Sequence, residues 1–285
     1  MRQPQAWLLA TRPKTLLASI CPVLLGTVLA WQKAQFQLWI FLFTLTFALL
    51  IQIATNLSND YFDCIRGADT KERKGPIRVT QAGLVSPKTI RLAFILTFLS
   101  ALLIAIPLAL VGGVWIWIFA ALSIVLGYLY TGGPYPLAYI GLGDLFVLVF
   151  FGPVACVGTY YLQTLQINME TCILGIGLGL ISTAILVVNN LRDIEEDRKA
   201  RKKTLAVRFG KAFSRFEYTA CILLAFSISL SQLPWIFWVL VLPIVPFIAR
   251  LIRSVYQLSG ESLNAILGQT AALLLLYTLL STLRI

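Results

Sequence analysis

Residues 171–197 read TCILGIGLGLISTAILVVNNLRDIEED, an apolar run that ends abruptly in an acidic cluster. A helix of about twenty apolar residues is long enough to cross the roughly 30 Å hydrocarbon core of a bilayer. The run is uniformly apolar instead of alternating, which is typical of a membrane helix and not of a barrel strand. Similar runs recur along the whole chain, so the sequence predicts an all-α integral membrane protein.

The composition supports this fold class. The 285 residues are 59 % hydrophobic and only 12 % charged, and the mean hydropathy is +0.85. A soluble domain carries about 25 % charged residues, so this chain has too little polar surface for a water-soluble globule. Met1 to Trp7 is polar and shows no cleavable signal pattern, and the first apolar run continues as a span. No linker interrupts the chain, which is interpreted as one domain, 1–285.

Hydropathy and charge together predict the topology. The apolar runs predict nine helices around a central cavity, near 15–31, 37–57, 90–111, 114–130, 142–162, 171–191, 217–232, 234–250 and 263–283. With these spans, 21 of the 23 Lys and Arg residues fall on one side of the membrane. The positive-inside rule therefore predicts a multi-pass inner (plasma) membrane protein with a cytoplasmic N-terminus. The net charge of +11 lies in these loops, which favours a topology signal over nucleic-acid binding.

The available chemistry is narrow. The chain has no histidine, and its five cysteines are scattered without a CxxC pair. This excludes catalysis and metal binding by imidazole and favours small apolar packing for the cysteines. Chemistry must then come from carboxylates, Lys, Arg, Tyr, Asn or a bound metal.

Two acidic clusters stand at the ends of the second and sixth predicted spans. Asn56, Asp60 and Asp63 share one helix face, and Asn189, Asp193 and Asp197 share another. An even number of spans separates the clusters, so both face the same side. An all-oxygen site selects a hard cation, and Mg²⁺ fits best. The acids could instead pair with nearby Lys and Arg, but two matching clusters favour a metal site.

The loops after these clusters are basic. Metal-binding carboxylates beside cations suit a polyphosphate, although topology signalling and lipid contact explain any single cation equally well. A third inner loop, Tyr130 to Pro136, is small, aromatic and uncharged, and suits either a flat ring substrate or a plain turn. The cations nearest the clusters are Arg66, Lys71, Arg73, Lys74, Arg78, Lys202 and Lys203.

These motifs resemble the two aspartate-rich motifs of the UbiA superfamily of intramembrane prenyltransferases. Further stretches spread over about 12–210 resemble its 1,4-dihydroxy-2-naphthoate branch. The chain departs from that branch at Asp144, where Glu is usual, and at Arg201, where Gly is usual. The matching stretches include Arg12-Pro13-Lys14-Thr15-Leu16, Gly75-Pro76-Ile77-Arg78, Tyr130-Thr131-Gly132-Gly133-Pro134, Gly141-Leu142-Gly143-Asp144 and Lys203-Thr204-Leu205-Ala206.

The resemblance implies the nine-helix fold and a Mg²⁺-dependent transfer. A polyprenyl group would pass from its diphosphate to 1,4-dihydroxy-2-naphthoate, with loss of CO₂ and pyrophosphate, to give demethylmenaquinol. The implied metal ligands are Asp60, Asp63, Asp69, Asp193 and Asp197. Tyr130 or Tyr61 could stabilise the allylic cation through its ring, or either could serve in packing. The implied substrate-binding residues are Arg12, Lys14, Asn56, Asn59, Arg66, Lys71, Arg73, Arg78, Asn189, Asn190 and Lys202.

Several alternatives stay open at this point. The acceptor could be 4-hydroxybenzoate, homogentisate or a tetrapyrrole, and the donor could be phytyl or a polyprenyl of any length, since every donor presents the same diphosphate. A cation-coupled transporter would place acids near helix midpoints and use both faces of the membrane, whereas these acids lie at one rim. A CDP-alcohol phosphatidyltransferase would need one long Asp-rich motif with embedded glycine. No oligomeric state is predicted.

Overall fold

The computed structural model describes residues 3–68 and 73–283, which form α-helices and no strand. Short π- and 3₁₀-helical segments lie at Phe150–Val154, Trp235–Leu240 and Gly260–Ser262. The α-helices in chain order are α1 Gln3–Thr11, α2 Pro13–Trp31, α3 Leu38–Ile65, α4 Pro87–Leu129, α5 Gly143–Val149, α6 Ala155–Thr164, α7 Met169–Arg192, α8 Ile194–Lys199, α9 Leu205–Gln232, α10 Ile244–Gln257 and α11 Leu263–Ser281.

Seven of the described segments are long and apolar enough to cross a membrane. They are α2, α3, α4, the continuous stretch Gly143–Thr164, α7, α9 and Gly260–Ser281. The all-α membrane class is therefore confirmed. The number of segments differs from the predicted nine because two predicted pairs have another form.

The first difference is only in the count: α4 runs over 43 residues where two spans were predicted, and it consists of two helices that meet at a kink. Gly113 interrupts it with φ 70° and ψ −158°, a conformation that glycine adopts without steric cost. The rings of Phe94 and Tyr128, from its two ends, lie 6.5 Å apart. The element is therefore a helical hairpin that turns back at Gly113, and the predicted boundary between 111 and 114 lies at this turn.

The second difference is the span predicted near 234–250. Pro234 and Pro243 flank the 3₁₀ segment there, and each lacks the amide hydrogen that would continue an α-helix. The α-helix in this region is α10, which begins at Ile244 and is shorter than the predicted span. The preceding helix α9 begins at Leu205, twelve residues before the predicted start, and bends at Gly210 with φ 83°.

Helix α7 is the central element and is buried over most of its length. Its glycines allow backbones to approach closely, as is common between membrane helices. A Cβ on Gly179 would lie 2.1 Å from the carbonyl oxygen of Leu148, and one on Gly175 would lie 2.9 Å from Cα of Pro153. The broken helix Gly143–Thr164 is thereby held against α7, and both position side chains around the same cavity.

We expect Gly179→Ala to destabilise the protein, because the added methyl group meets fixed backbone atoms that cannot rotate away. Overpacking of this kind costs about 1–3 kcal/mol. Thermal unfolding in detergent measures the effect. Gly268→Ala in α11 is the matched control, since nothing lies within 4 Å of its added methyl group. An unfolding midpoint equal to that of the control would contradict the close packing of α7.

Candidate active site

A cavity of about 620 Å³ opens where α3 and α7 end. Carboxylates, amides and cations line one end of the cavity, and apolar side chains such as Ile116, Phe119, Phe146, Phe150 and Val154 line the rest. The lining includes most of the predicted site residues: Arg12, Lys14, Asn56, Asn59, Asp63, Arg73, Arg78, Tyr130, Asn189, Asn190, Asp193, Asp197 and Lys202. The two motifs, 133 residues apart in sequence by their first aspartates, are thus brought to one site.

Asp63 of the first motif is surrounded by donors. The Nζ atom of Lys202 lies 3.1 Å from its Oδ1, and the Tyr139 hydroxyl donates to the same oxygen at 2.9 Å. Arg78 approaches Oδ2 at 3.4 Å. Asp63 is 2 % exposed, and two cations beside it offset the cost of burying its charge.

Asp193 of the second motif is held by its neighbour in sequence. Arg192 donates from Nε and from a terminal nitrogen to the two carboxylate oxygens of Asp193, each at 2.6 Å. This guanidinium is fully buried and also donates to Asn189 at 2.6 Å and to Asn264 of α11 at 2.7 Å. Arg192 therefore fixes the end of α7 and joins it to the last membrane helix.

Lys202 connects the two motifs. Its ammonium group lies 3.8 Å from Asp197 in addition to its contact with Asp63, and it stands over the Tyr139 ring at 4.9 Å. Burial raises the pKa of Asp197 to about 7, while Lys202 opposes this rise and the charges of Asp193 and Asp63 add to it. Lys202 therefore joins the first motif to the second at the polar end of the cavity.

Asp60 is not among the residues that line the cavity. Its carboxylate accepts hydrogen bonds from the backbone N–H groups of Val79 and Thr80, both at 3.1 Å. Asp60 is therefore a structural link between α3 and the following loop. A role for Asp60 as a metal ligand stays a prediction, and it requires this carboxylate to exchange backbone partners for the ion.

Two other predicted residues of the described chain, Arg66 and Tyr61, do not line the cavity. Arg66 donates to the carbonyl oxygens of Thr131 and Gly133, with the latter distance 2.6 Å, and so secures the 131–133 turn. Asp69 and Lys71 lie outside the described residues. Tyr61 packs against Phe62 and Phe94, which suits a packing role.

The loop after the first motif closes over Arg192. A Cβ on Gly75 would lie 2.7 Å from the Arg192 guanidinium, and Arg73 approaches Asp193 at 3.9 Å. The backbone of Lys74 donates to Glu196 at 3.1 Å and accepts from Asn264 at 2.9 Å. Arg73 and Arg78 are thereby placed at the polar end of the cavity.

Another part of the cavity wall is built from α2, α3 and the 130–141 loop. Asn56 donates to the Thr11 carbonyl at 2.9 Å and to the Thr15 hydroxyl at 3.0 Å, while Asn59 accepts from the Thr131 hydroxyl at 2.6 Å. The predicted amides therefore fix the first helices and the aromatic loop against α3. Tyr130 lines the cavity, as expected for a group that meets a ring substrate.

Sequence reasoning missed Tyr139, Arg192, Glu196 and Asn264. Arg192 directly precedes the second motif's Asp193, so its position was a usable signal. No local pattern marks Tyr139 or Asn264, because each reaches the site only through tertiary contacts. The unusual Arg201 adopts a left-handed φ of 57°, which explains why glycine suits this position and why the loop keeps its shape at some steric cost.

The donor set fits a magnesium–diphosphate site. No group of three carboxylates converges as a ready metal cage within residues 3–68 and 73–283. Mg²⁺ rarely uses such a cage, since it takes one or two carboxylates and completes its shell with water and substrate phosphates. Asp63, Asp193 and Asp197 could provide those oxygens, and the cations beside them suit the remaining phosphate charge.

Known proteins resemble the chain in sequence. The 1,4-dihydroxy-2-naphthoate octaprenyltransferase of Escherichia coli (strain K12) is 39 % identical over 233 residues, which cover 80 % of this chain and 75 % of that protein. The protein of the same description from Haemophilus influenzae is 37 % identical and aligns with 97 % of this chain and 94 % of its own length. The resemblance to the naphthoate branch is confirmed.

The fold also has a solved counterpart. A UbiA homologue from Archaeoglobus fulgidus bound to GPP and Mg²⁺ aligns with a TM-score of 0.65 at 16 % identity, over 97 % of this chain and 99 % of that one. The model of the UbiA prenyltransferase family matches residues 19–280. The chain therefore belongs to the UbiA prenyltransferase family.

Proposed function

We propose that this protein transfers a polyprenyl group from a polyprenyl diphosphate to 1,4-dihydroxy-2-naphthoate, releasing CO₂ and pyrophosphate and giving demethylmenaquinol. The observation that carries this proposal is one cavity in which two acidic helix ends and several cations adjoin a long apolar lining. That division of charge matches a substrate with a diphosphate head and an isoprenoid tail. The relatives at 37–41 % identity named for this reaction support the acceptor.

Asp63, Asp193 and Asp197 would hold Mg²⁺, with Asn189 and Asn190 assisting. Asp60 and Asp69 remain further predicted ligands. When bound, Mg²⁺ neutralises charge on the diphosphate and makes it a better leaving group. Arg73, Arg78 and Lys202 bind the remaining phosphate oxygens, and Lys71 and Arg66 are predicted to assist. Lys202 and Arg78 already contact Asp63, so they lie where the diphosphate would bind beside the metal.

The rest of the cavity controls the carbon chemistry. Its apolar lining holds the isoprenoid tail and excludes water, which would otherwise capture the allylic cation. Tyr130 presents its ring to the cation and to the acceptor. Arg12 and Lys14 also line the cavity and suit the carboxylate of the naphthoate. The ring carbon that bears this carboxylate attacks the cation, and CO₂ leaves.

The membrane arrangement completes the proposal. We place the protein in the inner (plasma) membrane with nine crossings, counting the α4 hairpin twice and the 235–257 segment once. The N-terminus and the polar end of the cavity face the cytoplasm, because 21 of 23 basic residues then lie inside. Water-soluble Mg²⁺ and naphthoate reach the site from that side, while the donor arrives from the bilayer.

The first test is an activity assay of membranes that contain the protein. With 1,4-dihydroxy-2-naphthoate, Mg²⁺ and prenyl diphosphates of graded length, we expect prenylated product and pyrophosphate, and we expect EDTA to abolish both. Parallel reactions with 4-hydroxybenzoate and with phytyl diphosphate test the other acceptors and donors. A failure to form prenylated naphthoate with every donor would refute the proposal.

The second test separates the two aspartates of the first motif. Asp63→Asn removes a cavity carboxylate, so we expect kcat/KM to fall about 10²–10³-fold, as when one charge-stabilising group is lost. The Mg²⁺ concentration for half-maximal activity should rise. Asp60→Asn leaves one buried N–H without an acceptor and should lower stability by about 1–3 kcal/mol.

Thermal unfolding and Mg²⁺ titration of both variants make the comparison. Asp63→Asn should mainly change the titration, and Asp60→Asn should mainly change the unfolding midpoint. If Asp60→Asn shifts the Mg²⁺ requirement as strongly as Asp63→Asn, Asp60 is a metal ligand and the division of labour drawn above is wrong.

A further inference from the structure

A small void of about 10 Å³ adjoins the main cavity behind Tyr130. That volume is roughly what one water molecule needs. Gly141, Gly143 and Asp144 line only this void. The residues that line both spaces are Tyr130, Ala138, Leu186, Asn190 and Thr204. The void is therefore separated from the substrate space by single side chains.

Asp144 is the charged group of this void. It lies in the first turn of α5 and is 6 % exposed. Its Oδ1 is buried and, within the described part of the chain, has no hydrogen-bond partner. A buried carboxylate oxygen without a donor is costly, and a water in the adjoining void would supply one.

Tyr130 connects this group to the substrate space. Its hydroxyl lies over the start of α5, 3.3 Å from the position of a Cβ on Gly143. Its hydroxyl is also close enough to Asp144 for the carboxylate to act on it electrostatically. Arg12, Asp63 and Asp197 act on the same hydroxyl. The Tyr130 hydroxyl thus stands between the void and the cavity that holds the acceptor.

We propose that Asp144, through a water in this void, orients the Tyr130 hydroxyl to accept a hydrogen bond from a ring hydroxyl of the acceptor. This inference rests on the proposed function. Tyr130 touches the substrate, and Asp144 is a positioning residue that acts through it. When the acceptor's hydroxyl donates to Tyr130, its oxygen pushes electron density into the acceptor ring. This activates the ring carbon that attacks the allylic cation.

The chemistry balances without an added reagent. The donor's C–O bond breaks with its electron pair going to the diphosphate. A π pair of the ring forms the new C–C bond at the carbon that bears the carboxylate. The bond to that carboxylate then breaks, its pair restores the aromatic ring, and CO₂ leaves. The hydroxyl proton shifts toward Tyr130 during attack and returns afterwards, so the relay carries no net proton.

A competing explanation assigns Asp144 only to the N-terminus of α5, where a negative charge is favourable. That role does not require a buried oxygen facing an empty space beside the site. Glu217 of α9 provides the matched comparison. Its charge interacts with that of Asp144, but Glu217 lines neither the cavity nor the void.

The test compares Asp144→Asn with Asp144→Glu, the residue usual in the naphthoate branch. We expect Asn to lower kcat about tenfold or more, in the range of a lost proton-transfer contact. The KM for polyprenyl diphosphate should change less than about twofold, because the diphosphate cations are untouched. The unfolding midpoint should stay equal or rise, since an unpaired buried charge has been removed. Glu should retain at least about a third of kcat by keeping the carboxylate.

Tyr130→Phe and the double variant complete the cycle. If Asp144 acts through Tyr130, Asp144→Asn should lower kcat less than about twofold further in the Tyr130→Phe background. Glu217→Gln, an equal loss of charge nearby, should leave kcat within about twofold. Additive losses in the cycle would overturn the inference, as would a tenfold loss in Glu217→Gln or wild-type kcat in Asp144→Asn. Absence of naphthoate prenylation by the wild-type protein would instead refute the proposed function, so the two failures are distinguishable.

Discussion

Carboxylates are buried where two apolar helices leave the membrane, and the arrangement of this end of the molecule follows from how their charge is compensated. Asp63 and Asp197 come from different motifs, yet Lys202 reaches both, at 3.1 and 3.8 Å. Breaking a buried ion pair by removing one partner costs several kcal/mol, because the other charge is left uncompensated. The loop that carries Lys202 is therefore bound to both helix ends by the same charges that would receive the metal.

The pairing of these cations with the aspartates is also suited to the binding of a charged substrate. Mg²⁺ and a diphosphate bring charges of both signs, so cations that now neutralise aspartates can turn to phosphate oxygens while the aspartates turn to metal. Arg192 is different, because it is fully buried and bonds in a bidentate manner to Asp193 while also holding Asn189 and Asn264. The Arg192 guanidinium therefore has a structural role, whereas Lys202 and Arg78 lie beside the space that the diphosphate would fill.

Sequence patterns predicted the helical membrane class and the acidic clusters at two helix ends, because apolar runs and helical spacing are local properties. They also placed the boundary between the two helices of α4 at Gly113, where the chain turns back. A continuous helix was predicted at 234–250, but Pro234 and Pro243 change the backbone within this apolar run, and hydropathy does not detect that change. Tyr139 and Asn264 escaped for a further reason, since their contacts with Asp63 and Arg192 join residues more than 70 positions apart.

The first motif shows why helical spacing alone does not assign roles. Asn56, Asp60 and Asp63 lie on one face of α3, but that face borders three different neighbours. Asn56 meets α1 and α2 beside the cavity, Asp60 meets the backbone at 79–80, and Asp63 meets the cavity and its cations. A polar stripe of about two helical turns at a membrane edge must satisfy every one of its oxygens. Asn56 and Asp60 do so by bonding to the segments that pack around α3. Asp63 does so through Arg78 and Lys202, the cations at the cavity.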